Sequence, residues 1–315
     1  MGAWVAVATV LSMQQAVSIY EDGRIGEAQA AFTEMVRTRP ADAEALSWLA
    51  AAELENTGDA RAAEQLLEQA LRIEPGKWRA HMLMGVALAK RIGSASIFEK
   101  LSLAGRLKGE MERAVELAPD SADARLALIH FYLRAPAIAG GGSKKARAQA
   151  AEIARIDAFE GAAALGLVEA YVGDDAAPSF RRAAELARTD KDRARALSLM
   201  AKFRMAQKRP AESLQFFRQA VEIRPRDPLL RADFGDAQLA AGDAQGAAAS
   251  FRMASDLDPR LVAPWLGLGR ALAQAGRRTE ARAAYEEFLV LAPRHERSGE
   301  ARDEVERLQA AEAKR

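Results

Sequence analysis

Three prolines near the C-terminal end of the chain are evenly spaced. Pro225, Pro259 and Pro293 follow one another at intervals of 34 residues. A fixed period of that size is typical of chains built from repeated structural units, each too small to bury its apolar face alone. Such units stack on their neighbours and share a continuous core. We therefore expect the 315 residues to form one elongated array rather than two ordinary globular domains.

The residues between these prolines repeat as well. Aromatic and small residues precede each proline at corresponding places, namely Trp265, Leu268, Gly269, Gly276, Ala281 and Tyr285 before Pro293, and Phe234, Gly235, Gly242, Ala247, Phe251 and Ala254 before Pro259. This pattern resembles the tetratricopeptide (TPR) repeat, a helix–turn–helix unit. The small residues let two helices approach closely, and the aromatic residues fill the gap to the next pair. Proline stands where the second helix has to stop.

The resemblance covers nearly the whole chain, with insertions at 93–108 and 135–143. It implies an all-α fold, a right-handed superhelical α-solenoid of about eight TPR-like helix pairs with a C-terminal capping helix. We expect the array to be open and to expose a concave face. One solenoid domain, 1–315, is predicted, with N-terminal repeats at 9–77, irregular repeats at 78–190, regular repeats at 191–295 and the capping helix at 296–315.

Charge and composition exclude several classes of function. The 45 basic and 44 acidic residues give a formal charge of +1, so no net field attracts nucleic acid or an anionic membrane. Without cysteine, the chain has no disulfide, no thiol catalysis and no cysteine-ligated zinc. The apolar stretch from Ala3 to Leu11 is too short for a transmembrane helix. No basic residues precede this stretch, as they would in a signal peptide. A mature chain whose signal peptide has been removed would lack them as well. Both a periplasmic and a cytoplasmic location therefore stay open.

The glycine-rich string from Gly140 to Lys144 is the strongest candidate for chemistry, because such loops can hold phosphate. It lacks the spacing of a P-loop, and a predicted helix rather than a strand precedes it. A flexible connection with Ser143 as the helix N-cap is favoured instead.

Other titratable residues are also weak candidates. His81, His130 and His295 lie in three different units, and no two have the spacing that would place them on one helical face for a metal. The acidic pairs Asp174-Asp175 and Glu286-Glu287 are typical of a solvated surface. We predict that the chain is not an enzyme and has no catalytic residue, no metal and no cofactor.

The resemblance also implies where a partner binds. In TPR arrays the concave groove is lined by the second, fifth, ninth and twelfth places of the first helix of each pair. These places are mainly apolar in the N-terminal half, at Val10, Met13, Val17, Tyr20, Trp48, Met82 and Val86, although Glu55 and Arg79 fall there too. Towards the C-terminus they are mixed and charged, and include Arg195, Lys202, Asp236 and Arg270. An apolar groove can seat a partner helix or an extended peptide. The alternative is that Met13, Trp48 and Met82 pack as core.

Asparagine gives a negative prediction. The TPR clamp for the C-terminal carboxylate of chaperones uses paired asparagines, and asparagine-ladder grooves use many more. Asn56 is the single asparagine of this chain. Both modes of binding are therefore disfavoured.

Two hypotheses of function follow from the resemblance. The first is a non-enzymatic scaffold or adaptor that binds a protein or peptide partner in the groove, with no nucleic acid involved. The alternative is a structural protein that forms a homo-oligomer through its N-terminal helices. Phe131-Tyr132, Ala135-Pro136 and the glycine-rich loop further resemble bacterial TPR proteins that are often exported to the cell envelope.

Overall fold

The computed structural model describes residues 11–313, and this part of the chain contains seventeen α-helices, one 3₁₀ helix and no strand. Neighbouring α-helices pack in pairs, α1–α2 to α15–α16, which we number units 1 to 8. The first helix of each unit is called its A helix and the second its B helix. The all-α solenoid of eight pairs is therefore confirmed. The helices are α1 (Met13–Glu21), α2 (Ile25–Thr38), α3 (Ala43–Asn56), α4 (Ala60–Ile73), α5 (Trp78–Ser94), α6 (Ile97–Leu117), α7 (Ala122–Arg134), α8 (Ser143–Ile156), α9 (Ala158–Val172), α10 (Ala177–Leu186), α11 (Asp190–Ala206), α12 (Pro210–Ile223), α13 (Pro228–Ala240), α14 (Ala244–Leu257), α15 (Val262–Gln274), α16 (Arg278–Leu291) and α17 (Ser298–Ala313), with the 3₁₀ helix at Ala137–Ala139.

Local sequence signals set the ends of the helices. The Asp42 side chain accepts a hydrogen bond from the backbone N–H of Ala45 at 3.0 Å, and Asp227 caps α13 in the same way. Such an N-cap typically contributes about 1 kcal/mol. In the turn between α13 and α14, Gly242 has a φ of 86°, a conformation that other residues rarely adopt. Each helix pair can therefore form largely from its own sequence.

Small residues bring the helices together as the repeat pattern predicts. A Cβ atom on Gly269 would lie 2.7 Å from the ring of Tyr285, so only glycine fits there. The rings of Phe217, Phe251 and Tyr285 are almost fully buried between helices. Burial of each large ring stabilises the fold by roughly 1.5–3 kcal/mol. The core therefore runs along the array between neighbouring units.

The insertion at 93–108 lengthens the third unit. Helix α6 has 21 residues and α5 has 17, whereas the regular helix α4 has 14. The insertion therefore lengthens both helices of the unit. No additional helix is formed.

The glycine-rich loop after α7 is fixed by close backbone contacts. The N–H of Gly142 donates to the carbonyl oxygen of Tyr132 at 2.7 Å, and a side chain on Gly141 would overlap the backbone of Ala135. The predicted N-cap at Ser143 is wrong, because Ser143 is already the first residue of α8 and Gly142 holds the cap position. Gly142 has a φ of 151°, and no side chain caps α8. The loop is a turn that folds back onto the end of α7.

The last helix covers the end of the array. Leu308 of α17 is buried, and Val305 packs against the same apolar cluster of units 7 and 8. Its other face is charged, as the terminal helix of an open stack requires. The predicted capping helix is confirmed and begins at Ser298.

The array is not open along its whole length, because the first two units contact the last three. The N–H of Gly26 donates to Asp258 Oδ2 at 2.8 Å. Asn56 donates from Nδ2 to the carbonyl oxygen of Arg260 at 3.1 Å and accepts at Oδ1 from the N–H of Val262 at 2.9 Å. We call this contact the seam; it joins residues 21–27 and 56–58 to Lys191 and to the turns at 224–227, 258–262 and 292–297.

Candidate partner-binding face

The A helices direct charged side chains towards one shared space, which we call the inner face. Glu55 on α3 lies near enough to Lys90 on α5 and Lys202 on α11 for their charges to act on its carboxyl group. Tyr20 on α1 is influenced in the same way by Asp123 on α7. These residues come from five different units, so the curvature of the solenoid brings distant repeats face to face.

An aromatic cluster forms the N-terminal part of the inner face. The Tyr20 hydroxyl donates to a carboxylate oxygen of Glu55, and its ring meets Trp48 edge-on at 5.3 Å between centroids. The Arg79 guanidinium lies 4.3 Å from the centroid of the Trp48 ring, an arrangement in which the cation faces the π system. Burial, reinforced by Glu55, raises the pKa of Tyr20 above its usual range. Tyr20 therefore stays neutral and remains a hydrogen-bond donor.

The predicted apolar groove residues are mostly packed into the core. Trp48 and Met82 are only 8% and 9% exposed, and Trp48 stacks on Phe32. This burial favours the packing alternative for both residues. Met13, Val17 and Val86 are half-buried and contact the same core, while Val10 lies outside the described residues.

The predicted charged positions connect neighbouring A helices. Arg195 forms an ion pair with Glu160 of α9, Lys202 pairs with Asp233 of α13 at 2.8 Å, and Arg270 pairs with Glu300 of α17 at 2.5 Å. Such exposed pairs each contribute at most about 1 kcal/mol. They keep the charged rim of the inner face in a fixed arrangement.

Asp236 differs from these positions because it forms no ion pair or side-chain hydrogen bond with the described residues. The Asp236 side chain is exposed, but partial desolvation by the surrounding protein and the nearby carboxylate of Asp233 raise its pKa to about 6, while Arg297 and Lys202 act in the opposite direction. Its carboxylate is therefore less stable near neutral pH than that of an ordinary aspartate. A cationic group placed beside it would stabilise the charge.

Sequence reasoning missed four residues that reach the inner face, Lys90, Asp123, Asp233 and Arg297. Asp123 had a usable signal, because it is the second residue of its A helix and that place is a groove position. Arg297 lies in the turn before α17, where the repeat pattern gives no information. Asp233 lies one helical turn before the predicted position Asp236.

Two of the three histidines, His81 and His295, are engaged in structural contacts. His81 Nδ1 lies 2.6 Å from a carboxylate oxygen of Glu110 and its Nε2 lies 2.9 Å from the carbonyl oxygen of Pro75. His295 Nδ1 accepts from the N–H of Arg297 at 3.1 Å. Between residues 11 and 313, no group of three or more acidic or histidine side chains has the geometry to hold a metal ion.

Within the same range, none of the helices combines the length and apolar character needed to cross a bilayer. The apolar stretch from Ala3 to Leu11 lies almost wholly outside the described residues, so its interpretation stays a prediction.

Comparisons with known proteins agree with the geometry. Two tetratricopeptide repeat models match the chain, one at residues 20–85 and 238–297 and the other at residues 162–228, and together they cover more than half of it. The chain belongs to the tetratricopeptide repeat family. No curated protein sequence matches this TPR chain significantly.

One of the solved structures superimposed on this chain shares its fold. Yeast Tom70 superimposes with a TM-score of 0.62 at 17% identity, over 93% of this TPR chain and 60% of Tom70. A chain of the APC/C hetero-tetramer Cut9–Hcn1 gives a TM-score of 0.48 at 14% identity, over 93% of this chain and 54% of the other. The Sgt2 TPR domain of Aspergillus fumigatus gives 0.35 at 22% identity, over 38% and 78%. The chain thus spans little more than half the length of the first two.

Proposed function

We propose that this TPR protein is a non-enzymatic scaffold that binds a segment of a partner protein on its inner face. The convergence of A-helix side chains from distant units on that face carries the proposal. A segment lying there touches several repeats at once, and family membership is typical of proteins that act by holding other proteins.

Unpaired charges give the inner face its chemistry. Lys90 and Asp123 are exposed and, like Asp236, form no ion pair within residues 11–313. A bound segment that carries both a basic and an acidic side chain can pair with these groups. Charges of this kind set the orientation and specificity of binding more than its affinity.

Apolar contact supplies the affinity of the proposed complex. Met13, Val17 and Val86 are half-buried, so each still offers part of its side chain to a partner. Trp48 and Met82 act indirectly, because they support these residues from beneath. Arg195, Lys202 and Arg270 form the rim through their pairs with neighbouring helices.

A charge-reversal experiment tests the proposal. Cross-linking and mass spectrometry in the source cell first identify the bound protein. Lys90→Glu combined with Asp236→Lys should then weaken binding of that partner at least about tenfold, or about 1.4 kcal/mol, in calorimetry. Neither substitution touches a buried core side chain, so circular dichroism should be unchanged.

A matched pair on the B helices serves as the control. Arg181 on α10 and Glu222 on α12 are exposed and form no ion pair within the described residues. Arg181→Glu with Glu222→Lys makes equivalent charge changes on the opposite helices and should leave affinity unchanged. Equal loss in both double variants would refute binding on the inner face.

A further inference from the structure

The seam supplies a helix cap that α2 lacks in its own sequence. Arg24 occupies the N-cap position, and no side chain of the neighbouring sequence bonds the first turn. Asp258, distant by 232 residues in the chain, accepts from the N–H of Gly26 at 2.8 Å and from that of Glu27 at 3.4 Å. This is the bonding pattern of an N-cap side chain. Closing the seam therefore completes α2.

Asn56 is the second anchor of the seam. It is only 5% exposed. Its side-chain amide donates to the carbonyl oxygen of Arg260 and accepts from the N–H of Val262, where the chain passes from unit 7 to unit 8. Gly26 permits this approach, because any side chain there would overlap the backbone of Arg260. The two sides of the seam are thus closely matched in shape and in hydrogen bonding.

Apolar burial across the seam is small. The buried core cluster of units 1 to 4 includes Leu261 from the C-terminal side, and Leu229 is partly buried against it. The remaining seam contacts are polar and include two ion pairs at 3.2 Å, the exposed pair Glu21–Lys191 and the half-exposed pair Asp22–Arg224. Exposed pairs contribute little in water, and regions with few buried apolar contacts open most easily. The seam should separate while the helix pairs stay folded.

The middle of the array is where such an opening can bend. One continuous apolar cluster joins units 1 to 4 and ends at Ala164 and Val168 of α9, whereas most of the remaining core around α9 to α11 forms two small, separate clusters centred on Phe159 and Phe180. Helix α10 of the same region has 10 residues, against 14 in α12. Few side chains would have to repack when units 5 and 6 change their angle.

Closure also crowds the inner face. Glu55 at the end of α3 lies within range of the charges of Lys90, Lys202 and Asp227. Gly58 in the next turn lies against the ring of His295. A partner segment that is to lie along the A helices must pass between these opposing walls.

We propose that the seam is a latch, held by Asp258 and Asn56, whose opening about units 5 and 6 admits the partner to the inner face. The latch rests on the proposed function, because it regulates access to the same face. Its opening is an intrinsic property of the chain and can be measured without any partner.

Native-state hydrogen exchange tests the latch in the unmodified protein. The N–H groups of Gly26 and Val262 lie in the first turns of their helices, and the hydrogen bonds they make are to Asp258 and Asn56 across the seam. Their exchange should be at least about tenfold faster than that of the core amides of Trp48 and Phe251, with weak dependence on denaturant. Exchange of all four through global unfolding would overturn the proposal. Absence of protection at Gly26 and Val262 would show that no latch closes.

Labelling of the inner face tests access. The chain contains no cysteine, so Asp236→Cys gives a single reactive site, and Ile138→Cys, at a position that is 94% exposed, gives an outer control. The quantity measured is the ratio of two labelling rates at position 236, that of a bulky polyethylene glycol maleimide divided by that of the small N-ethylmaleimide. Asn56→Ala should raise this ratio about tenfold. The ratio at position 138 should not change. An unchanged ratio at 236 would overturn the gate, even if partner binding on the inner face were confirmed separately.

Discussion

Removal of the Asn56 side chain gives the most informative stability measurement. Asn56→Ala deletes both seam hydrogen bonds, of 3.1 and 2.9 Å, and leaves the carbonyl of Arg260 and the N–H of Val262 without their partner. A buried polar group left unpaired costs about 1–3 kcal/mol. With both groups still enclosed, the loss would be about 2–6 kcal/mol. If the latch opens, water reaches them and the loss cannot exceed the free energy of opening, for which we expect about 1–3 kcal/mol.

The assay is urea unfolding followed by circular dichroism, combined with the same measurement on Asp258→Ala. Because the two anchors hold one latch, the second substitution should add little once the first has opened the seam, so the two losses should not sum. Gln29→Ala is the matched control, since Gln29 bonds Asn56 at 2.6 Å on the N-terminal side only. A loss below about 0.5 kcal/mol for Asn56→Ala, or full additivity with Asp258→Ala, would refute the reasoning.

Three further predictions concern single side chains. Gly26→Ala should lower the free energy of unfolding by about 2 kcal/mol or more in urea titration, because the new methyl group overlaps the seam backbone, whereas Gly299→Ala, in open space, should be neutral within about 0.5 kcal/mol. Asp236→Asn should stabilise the protein at pH 8 by up to about 1 kcal/mol, reduced from the full pKa shift by solvent screening. The native pKa of about 6 exceeds the ordinary 3.8, so the neutral carboxyl favours folding below about pH 4, and this contribution is lost as the pH rises through 6. At pH 4 Asp236→Asn should therefore leave the free energy of unfolding unchanged. An increase at pH 4 would contradict the assignment. Trp48→Ala should lower the free energy of unfolding by about 3–5 kcal/mol and lower the midpoint of thermal unfolding, because the Trp48 ring is part of the core. An unchanged midpoint would indicate that Trp48 is a groove residue instead.

The fold could be predicted because its information is local and periodic. Gly269 packs against the ring of Tyr285, and one repeat earlier Gly235 packs against the ring of Phe251 in the same way. The position of the insertion at 93–108 could be predicted. How many of the extra residues belong to α5 and how many to α6 could not, because either helix can accept extra turns. The cap of α8 was misplaced because Gly142 adopts a conformation that sequence spacing does not reveal.

The seam could not be predicted from the repeats. Whether unit 1 meets units 6 to 8 depends on the superhelical pitch, which accumulates small angles over every interface. In the sequence, Asn56 indicates only that known asparagine-dependent binding modes are absent, whereas its partners across the seam are more than 200 residues away in the chain. Similarly, the pattern located the charged positions Lys202 and Asp236 but could not distinguish groove from core at Trp48. The resemblance to bacterial envelope proteins and the alternative of self-assembly remain predictions, the latter tested by light scattering.

The central claim is that partners bind to the inner face, and site-specific photo-cross-linking in the source cell tests it directly. A photoreactive residue at position 236 lies on the inner face, and the same residue at position 222 lies on a B helix. We expect one discrete partner adduct from position 236 and none from position 222. An adduct from position 222 with none from 236 would contradict the account.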